Sequence, residues 1–402
     1  AALSAPLPQR AWQLHHDDLA HIKRVIDEAP KYGINQIQLS HDIIMDVDQI
    51  WEKPGLTEMI NEVCDYAHKR NIEVHVWTHE LTRVPQEFRK PTKVDLDDPR
   101  VWEWLTNKYR KFYTDCPGVD GIVLTFHETQ VSVYNDSKVS SSLSRADRVG
   151  RLIDTLNAVS TERGKKLIVR SFCYEPHELQ AIKDGFAAAR SEFVVMSKCQ
   201  PHDWQPFYPH NPLIGEVGNR PQIVEFDSGH EFLGQADIPY IDTEYTEMRL
   251  DYGISKGIVG AVTRIERKSN LALGTPNWAN VYVFSKLLQN PSADSDALLR
   301  QYLAKRYGKA AAPRLFTPMK RTFDIVNKTF FVLGFWATDH SRLPSFGYAY
   351  DHMDWLGTQK WDGDRKWKRL HYQLRRPDRA MIALVDSEKA EALAECRLAI
   401  SE

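Results

Sequence analysis

The chain has 402 residues, 42% of them hydrophobic and 26% charged, an ordinary globular composition that allows one large domain and a smaller second one. Its formal net charge of −2 gives no indication of a nucleic-acid or membrane partner. No apolar run approaches the roughly 20 residues of a membrane-spanning helix. Five scattered cysteines without CxxC spacing exclude a disulfide framework and a zinc-finger-like site.

The first residues, AALSAPLPQR, contain neither Met nor the apolar core of a signal peptide. Both a trimmed chain and a mature secreted form fit this beginning. We expect a periplasmic or extracellular location rather than a cytoplasmic one.

Short β-branched runs recur along the first two thirds of the chain, most of them followed by helix-like or connecting segments. One such helical segment begins at Asp98 and Pro99, a favourable helix start. This alternation favours a parallel sheet, and eight units in about 270 residues match a (β/α)8 barrel. A doubly wound sheet is the alternative, but no GxGxxG follows the first strand candidate. The strand candidates are 33–40, 71–80, 119–128, 166–175, 192–200, 222–231, 238–245 and 257–266.

From about residue 270 the pattern becomes helical, beginning with TPNWANVYVFSKLLQNPSADSDALLRQYLAKRYG. The segment SEKAEALAECRLAI near the end has the same character. We therefore predict a catalytic (β/α)8 barrel over residues 1–270 and a helical C-terminal domain over 271–402. The helical domain is a candidate surface for a homodimer.

In a barrel of this type, residues at the C-terminal strand ends converge on one mouth. Acids, bases and aromatic residues crowd nearly every predicted strand end. Any one of them could simply be a solvated loop residue, but their clustering on several strands indicates a sugar-binding, acid–base site. They are Trp77, His79, Glu80, His127, Glu128, Arg170, Tyr174, Glu175, Lys198, His202, Asp203, Asp227, His230, Glu231, Asp242, Glu244, Arg264 and Glu266.

Cleavage of a glycosidic bond needs a carboxylic acid on the leaving oxygen and a second carboxylate on the opposite side of the bond. Glu128, Asp203 and Glu231 fit this need, at the predicted ends of the third, fifth and sixth strands. Arg170 and Lys198, on the fourth and fifth strands, are cations in the same ring. Because an arginine fork matches a carboxylate, they indicate a negatively charged substrate. The alternative is that they neutralise the three acids.

The chain resembles the α-glucuronidases that remove (4-O-methyl)glucuronic acid from xylo-oligosaccharides, over most of residues 30–310. The segment KVDLDDPRVWEWLTNKYRKFYTDCPGVDGIVLTFHE resembles the one that leads into their catalytic acid, which falls on Glu128. KLIVRSFCYE resembles their strand with a carboxylate-binding arginine, here Arg170. VVMSKCQPHDWQPFYPHNPLIGEVGNRPQIVEFDSGHEF is similar to their base region, with its Lys, Asp and Glu on Lys198, Asp203 and Glu231 at ungapped spacing.

This resemblance implies an exo-acting glycosidase that inverts configuration without a metal or an organic cofactor. Glu128 would be the general acid, and Asp203 and Glu231 would position and activate water, with the choice of base between these two left open. The substrate would be an oligosaccharide or polysaccharide. Further sugar contacts are expected from His127, His202, His230, Trp77, Trp204 and Tyr174.

Some features differ from that family. It carries a Lys just before its acid motif, where this chain has Leu124 or Thr125. Its Trp near the first barrel strand falls in QLHHDD, where His15 and His16 are the replacements. Its N-terminal β-sandwich falls outside this sequence. A glycosidase of the same fold that acts on a different plant or algal polysaccharide is therefore an alternative.

Two other classes of protein compete with a glycosidase. A metal-dependent hydrolase would use some of His75, His79, His127, His202 and His230, although no HxH or HExxH spacing occurs. A non-catalytic carbohydrate-binding barrel would keep the aromatic residues but would not need three acids at matched spacing. Zinc content tests the first class, and sugar release by Glu128→Gln tests the second.

Overall fold

The computed structural model describes residues 5–201, 203–267, 270–336, 341, 345, 347–348, 351 and 379–402. Eight parallel strands in these ranges form a closed barrel. In chain order they are β1 (Gln9–Leu14), β2 (Gln36–Leu39), β3 (Glu73–His79), β4 (Gly121–Thr125), β5 (Lys166–Arg170), β6 (Val194–Lys198), β7 (Gln222–Asp227) and β8 (Gly260–Arg264).

Helices follow most barrel strands and continue after β8. No helix within the described ranges combines the length and the apolar composition needed to cross a membrane. The helices are α1 (Leu19–Glu28), α2 (Gln49–Glu52), α3 (Leu56–His68), α4 (Pro99–Asp115), α5 (Arg145–Glu162), α6 (Pro176–Ala188), α7 (Thr243–Ser255), α8 (Trp278–Gln289), α9 (Ser295–Tyr307), α10 (Ala312–Phe330) and α11 (Ile382–Ser401).

Each strand pairs in parallel with the next one in the chain, and β8 closes the ring by pairing with β1 from Gln9↔Gly260 to Gln13↔Arg264. The predicted (β/α)8 fold is therefore confirmed. Helix α4 begins where the sequence indicated, because the Asp98 side chain accepts a hydrogen bond from the N–H of Arg100.

Two predicted strands require correction. The first barrel strand is Gln9–Leu14, which the sequence analysis did not recognise because polar residues interrupt its apolar pattern. Of these residues, Arg10 finds its partner within the fold, as its Nε donates to the carbonyl of Gly33 over 2.6 Å. Segment 238–245 is not a strand, since α7 already begins at Thr243.

The segment before α7 does not join the sheet, and its backbone is bound by side chains instead. The backbone N–H of Tyr240 donates to Asn277 Oδ1 over 2.8 Å, and that of Asp242 donates to Asn280 Oδ1 over 3.1 Å. Side chains at the start of α8 thus replace the neighbouring strand that the prediction assumed.

Helix α8 covers the seam where β8 meets β1. Trp12 of β1 donates from Nε1 to Ser285 Oγ over 3.0 Å, and its ring contacts that of Trp278 edge-on with centroids 5.3 Å apart. A cluster of buried apolar side chains from the barrel strands is separate from the main core and is formed by Ala11, Trp77, Val123, Ile168, Met196, Ile223 and Val262.

Candidate active site

The three predicted catalytic acids follow strands at the C-terminal end of the barrel. Glu128 lies in the loop after β4, Asp203 after β6 and Glu231 after β7. Each lies one strand further round than the sequence predicted, because β1 had been missed. Arg170 ends β5 and Lys198 ends β6, so both cations belong to the same ring of strand ends.

The hydroxyl of Tyr174 connects the three acids. Tyr174 Oη donates to Glu128 Oε1 over 3.4 Å. Burial raises the pKa of Tyr174, and the negative charges of Glu128, Asp203 and Glu231 raise it further. Because one phenol senses all three carboxylates, the acids lie around a common space at the mouth of the barrel.

Glu128 has an unusual backbone conformation and, among the described residues, no lysine or arginine partner. Its φ of 57° lies in the left-handed region that residues other than glycine seldom adopt. Its side chain is 35% exposed, with Oε2 3.9 Å from Nε2 of His79. Burial lowers the pKa of His79 to about 4, so this imidazole is neutral near pH 7.

Asp203 is held by a buried lysine. Lys198 Nζ lies 2.6 Å from Asp203 Oδ1, and only 3% of the Lys198 side chain is exposed. The backbone N–H of Trp204 donates to the same oxygen over 3.1 Å. The rings of Phe172 and Trp204 lie 3.9 and 4.3 Å from the ammonium group and fix its position. This arrangement favours an ionised Asp203.

Glu231 lies between two arginines. Arg264 Nη1 is 2.5 Å from Glu231 Oε2, and Arg267 Nη2 is 2.9 Å from Oε1. Burial acts to lower the pKa of Arg264, but the neighbouring carboxylates, with Glu231 first among them, raise it above its usual value. With two guanidinium groups on its two oxygens, Glu231 is favoured as a carboxylate in a fixed orientation.

The loop that carries Glu231 is built around Asp227. Its Oδ1 accepts hydrogen bonds from the N–H groups of Gly229 and His230 over 3.1 and 3.0 Å, and its Oδ2 accepts from that of Glu231 over 2.8 Å. His230 has a φ of 55°, the same left-handed conformation as Glu128. Such backbone positions persist when the surrounding contacts fix them, and they cluster at functional sites.

Arg170 is bound to a carboxylate that the sequence analysis did not assign to the site. Its Nε and Nη2 donate to the two oxygens of Glu225 over 2.7 and 3.1 Å. Glu225 is fully buried in β7, and Arg170 is 2% exposed. Arg170 Nη1 makes no hydrogen bond with any described residue. One end of the guanidinium is therefore bound to Glu225, while Nη1 at the other end retains two N–H donors.

His127 and Tyr174 form one unit next to Glu128. Their rings meet at a right angle with centroids 4.3 Å apart, and His127 Nδ1 lies 3.1 Å from Tyr134 Oη. Burial is the main cause that lowers the pKa of His127. His127 stays a predicted partner for a sugar hydroxyl.

The remaining predicted contact residues differ in access. Trp77 is fully buried with its ring 4.6 Å from the Arg170 guanidinium, so it supports that arginine and offers no face for stacking. Trp204 and His230 are 4% and 3% exposed and lie behind Asp203 and Glu231 rather than in the open mouth. His202 lies outside the described residues.

Lys198 and Asp227, which hold Asp203 and the loop of Glu231, are among the strand-end residues predicted from the sequence. Arg264 is predicted at a strand end without a role, and Glu225 and Arg267 are not predicted. Glu225 carried a signal, because a charged residue inside the apolar run IVEF needs a buried partner. Arg267 carried none, since one arginine after a strand is common on any surface.

One group of described residues, His15, His41 and Asp42, brings three ligand-type atoms within 4.8 Å of one another. His15 already has partners on both ring nitrogens, Asp42 Oδ2 at 2.8 Å and the Gln13 amide at 2.9 Å. Arg267 Nη1 lies 3.5 Å from His41 Nε2 and 3.9 Å from Asp42. Because this guanidinium would repel a metal cation, the cluster fits a hydrogen-bonding network better than a metal site.

A closed (β/α)8 barrel with three carboxylates around its mouth has the architecture of a glycoside hydrolase. Residues 33–281 match the glycosyl hydrolase family 67 middle domain, a span that includes Glu128, Asp203 and Glu231. The chain therefore belongs to this family and is a glycoside hydrolase. None of the curated protein sequences matches it.

Similar solved structures share the fold. A GH138 enzyme targeting pectin rhamnogalacturonan II has a TM-score of 0.63 at 12% identity, over 99% of this chain and 54% of its own. The O-GlcNAc hydrolase of Thermobaculum terrenum has a TM-score of 0.55 at 13% identity, over 98% of this chain and 87% of its own. A GH115 4-O-methyl-α-glucuronidase with specificity for decorated arabinogalactans has a TM-score of 0.51 at 12% identity, over 98% of this chain and 51% of its own. The chain thus spans about half of the first and the last of these proteins.

Proposed function

We propose that this glycoside hydrolase is exo-acting and removes a terminal α-linked uronic acid from an oligosaccharide or polysaccharide by single displacement. The observation that carries the proposal is the contrast between the three acids. Asp203 and Glu231 each pair with cations, whereas Glu128 faces the neutral groups of Tyr174 and His79. When two carboxyl groups have such different surroundings, the difference distinguishes the one that acts as base from the one that acts as acid.

In the proposed reaction Glu128 gives its proton to the glycosidic oxygen as the bond from that oxygen to the anomeric carbon breaks. A water molecule held by Asp203 and Glu231 attacks the same carbon from the opposite face and loses a proton to one of them. An inverting site needs roughly 6.5–9.5 Å between acid and base, so that water fits beside the sugar. The paired arginines on Glu231 and the lysine on Asp203 keep these oxygens oriented toward the water.

The uronic acid itself is supported by the unsatisfied end of Arg170. Its Nη1 is buried without a hydrogen bond from the described residues, although a buried guanidinium N–H is costly to leave unpaired. A substrate carboxylate would supply the missing acceptor as a charge-assisted hydrogen bond. Lys198 lies on the next strand and would add a second positive charge.

A neutral terminal sugar is the second candidate, and a specific observation favours it. Arg170, Lys198, Arg264 and Arg267 each already pair with a carboxylate of the chain itself. Each of these cations therefore has a carboxylate partner before any substrate binds, although Arg264 and Arg267 share Glu231. A neutral sugar would use the imidazole and hydroxyl groups of His127 and Tyr174 without needing a spare cation.

The two candidate functions predict different activities on a matched pair of substrates. One is an oligosaccharide capped by α-linked glucuronic acid, and the other is the same oligosaccharide capped by α-linked glucose. The first proposal expects kcat/KM to be roughly 10- to 100-fold higher for the uronic acid, the effect of a charge-assisted hydrogen bond. Preference for the glucose cap would favour the neutral sugar. Release of neither sugar would count against both substrate assignments.

Glu128→Gln is the companion variant, because it keeps the shape of the side chain and removes its proton. We expect it to lose roughly 10²- to 10⁴-fold in kcat on whichever cap is released. Glu73→Gln is the matched control, since Glu73 begins β3 at the opposite end of the barrel. Equal activity of Glu128→Gln and wild type would remove Glu128 from the acid role.

A further inference from the structure

A buried imidazole faces the proposed general acid, and nothing in the reaction described above has used it. His79 is the last residue of β3 and is fully buried. Its backbone N–H donates to the carbonyl of Met45 over 3.0 Å, and its Nδ1 lies 2.6 Å from the same oxygen. Two hydrogen bonds to one carbonyl thus fix both the backbone and the ring.

The contact with Met45 settles which nitrogen of the ring carries the proton. A carbonyl oxygen only accepts hydrogen bonds, so Nδ1 must be the protonated nitrogen. Burial lowers the pKa of His79 to about 4, which keeps the second nitrogen bare near neutral pH. Nε2 is therefore a lone-pair acceptor, and it makes no hydrogen bond with the described residues.

The groups around this acceptor add few charges. Arg170 and His127 act with burial to lower the pKa of His79, and Arg170 is itself tied to Glu225. The ring of His41 meets that of His79 at a right angle 6.0 Å away, and burial lowers the pKa values of both His41 and His127. The carboxyl group that faces Nε2 is that of Glu128, with Oε2 at 3.9 Å.

We propose that His79 is a positioning residue whose bare Nε2 accepts a hydrogen bond from the protonated carboxyl of Glu128. This hydrogen bond keeps the general acid protonated and in a fixed orientation. This inference rests on the proposed function. A carboxylate and a lone pair repel each other, whereas a carboxylic acid can donate to the same nitrogen, so the pair favours the protonated form. The 35% exposed side chain of Glu128 can close the remaining distance to a hydrogen bond of about 2.8 Å by rotating.

Tyr174 completes this arrangement on the other carboxyl oxygen. Its hydroxyl donates to Oε1, so it stabilises the carboxylate that remains after Glu128 has released its proton. His79 thus favours the state before proton transfer, and Tyr174 favours the state after it.

Two conservative variants separate positioning from a purely structural role. The amide nitrogen of His79→Asn superimposes on Nδ1, so this variant keeps the donor to Met45 and loses the acceptor. His79→Gln places its amide oxygen near Nε2, so it keeps an acceptor and loses the anchor. The measurement is the pH profile of kcat/KM on an oligosaccharide, beside the same profile on an aryl glycoside whose leaving group needs no proton.

We expect His79→Asn to lose roughly tenfold in kcat/KM on the oligosaccharide, the effect of one hydrogen bond. The alkaline limb of its pH profile should move down by about one pH unit for the same reason. On the aryl glycoside it should match wild type. His79→Gln should keep the wild-type limb even though it is less stable. If the alkaline limb of the pH profile is unchanged in His79→Asn, and only His79→Gln loses kcat/KM, then His79 is only structural. That result would leave the proposed function intact, provided that Glu128→Gln is inactive. An inactive wild type, or a fully active Glu128→Gln, would instead overturn the proposed function.

Discussion

Arg264 ends the last barrel strand, and its Nη1 lies 2.5 Å from Oε2 of Glu231, which follows the preceding strand. The contact joins β8 to the loop after β7 and orients the carboxylate toward the mouth. Arg267 binds the other oxygen over 2.9 Å. Glu231 thus has one guanidinium on each oxygen, and the two differ in burial, since Arg264 is 3% exposed and Arg267 is 20% exposed.

Removing the buried guanidinium should disturb Glu231 more than removing the exposed one. For Arg264→Met we expect kcat to fall roughly 10- to 100-fold and the acidic limb of the pH profile to move to higher pH, because Glu231 loses its stronger positive neighbour. Arg267→Met is the control and should show a smaller change in the same direction. Equal pH profiles for Arg264→Met and wild type would exclude Glu231 from an ionised role in the reaction.

Asp227 offers a test of how the loop geometry serves the reaction. In Asp227→Asn an amide N–H₂ must face one of the backbone N–H groups that the carboxylate now accepts, either that of Glu231 or those of Gly229 and His230. We expect a loss of roughly tenfold or more in kcat with little change in KM, because the loop shifts while the sugar contacts remain. A variant with unchanged kcat would mean that this loop does not set the position of Glu231.

The largest stability effect outside the site is expected at Lys108 in α4. Its Nζ lies 2.6 Å from Glu80 Oε1 and 2.7 Å from Asp48 Oδ2, and Glu80 is fully buried. Glu80 had been grouped with the mouth residues, but this ion pair gives it a structural role. Lys108→Met should lower the free energy of unfolding by about 3–5 kcal/mol, the usual cost of leaving a buried charge unpaired.

Urea unfolding measures this effect. Lys111→Met is the control, because Lys111 is 57% exposed in its pair with Asp115 and should matter little. The double variant Lys108→Met with Glu80→Gln should recover part of the loss, since no unpaired charge remains. A loss at Lys108 no larger than that at Lys111 would contradict the account of this network.

The buried histidines at the mouth should make stability depend on pH. Burial lowers the pKa of His79 from 6.5 to about 4, and it also lowers the pKa values of His15 and His41. Between pH 6.5 and 4 the unfolded chain therefore binds more protons than the folded one, and the free energy of unfolding falls as the pH falls. His79 alone accounts for up to about 3 kcal/mol.

The slope of the unfolding free energy against pH in this window tests that expectation. His79→Gln should have a shallower slope than wild type, because one of the titrating groups is gone. His177→Gln is the control, since the side chain of His177 is 66% exposed. A slope in His79→Gln equal to that of wild type would show that the ring does not titrate as its burial implies.

The fold could be predicted from the sequence where the strands are apolar, and the prediction failed where polar residues interrupt a strand. The runs that became β2 to β8 showed their β-branched pattern directly, whereas QRAWQL did not, because Gln9, Arg10 and Gln13 interrupt its apolar residues. The apolar residues of IPYIDTEY predict a strand. Tyr240 and Ile241 are indeed buried, but asparagines of α8 bind the backbone of this segment, and no sequence pattern reveals such long-range partners.

The position of the three proposed acids at the mouth could be predicted, because strand ends of a barrel converge and because the spacing of Asp203 and Glu231 resembles that of a known family. Their partners were harder to predict. The pairing of Arg170 with Glu225 joins two residues 55 positions apart, and the contact of His79 with Glu128 depends on a left-handed backbone at Glu128. These features come from tertiary geometry, which a single sequence does not encode in any local pattern.

The most direct test of the central claim is the configuration of the sugar at the moment of release. Wild-type protein is mixed with an oligosaccharide capped by α-linked glucuronic acid, and the anomeric protons are followed by NMR before mutarotation equilibrates them. Water activated by Asp203 and Glu231 opposite Glu128 predicts that the β-anomer appears first. First appearance of the α-anomer would contradict single displacement, and no release of uronic acid would contradict the proposed substrate.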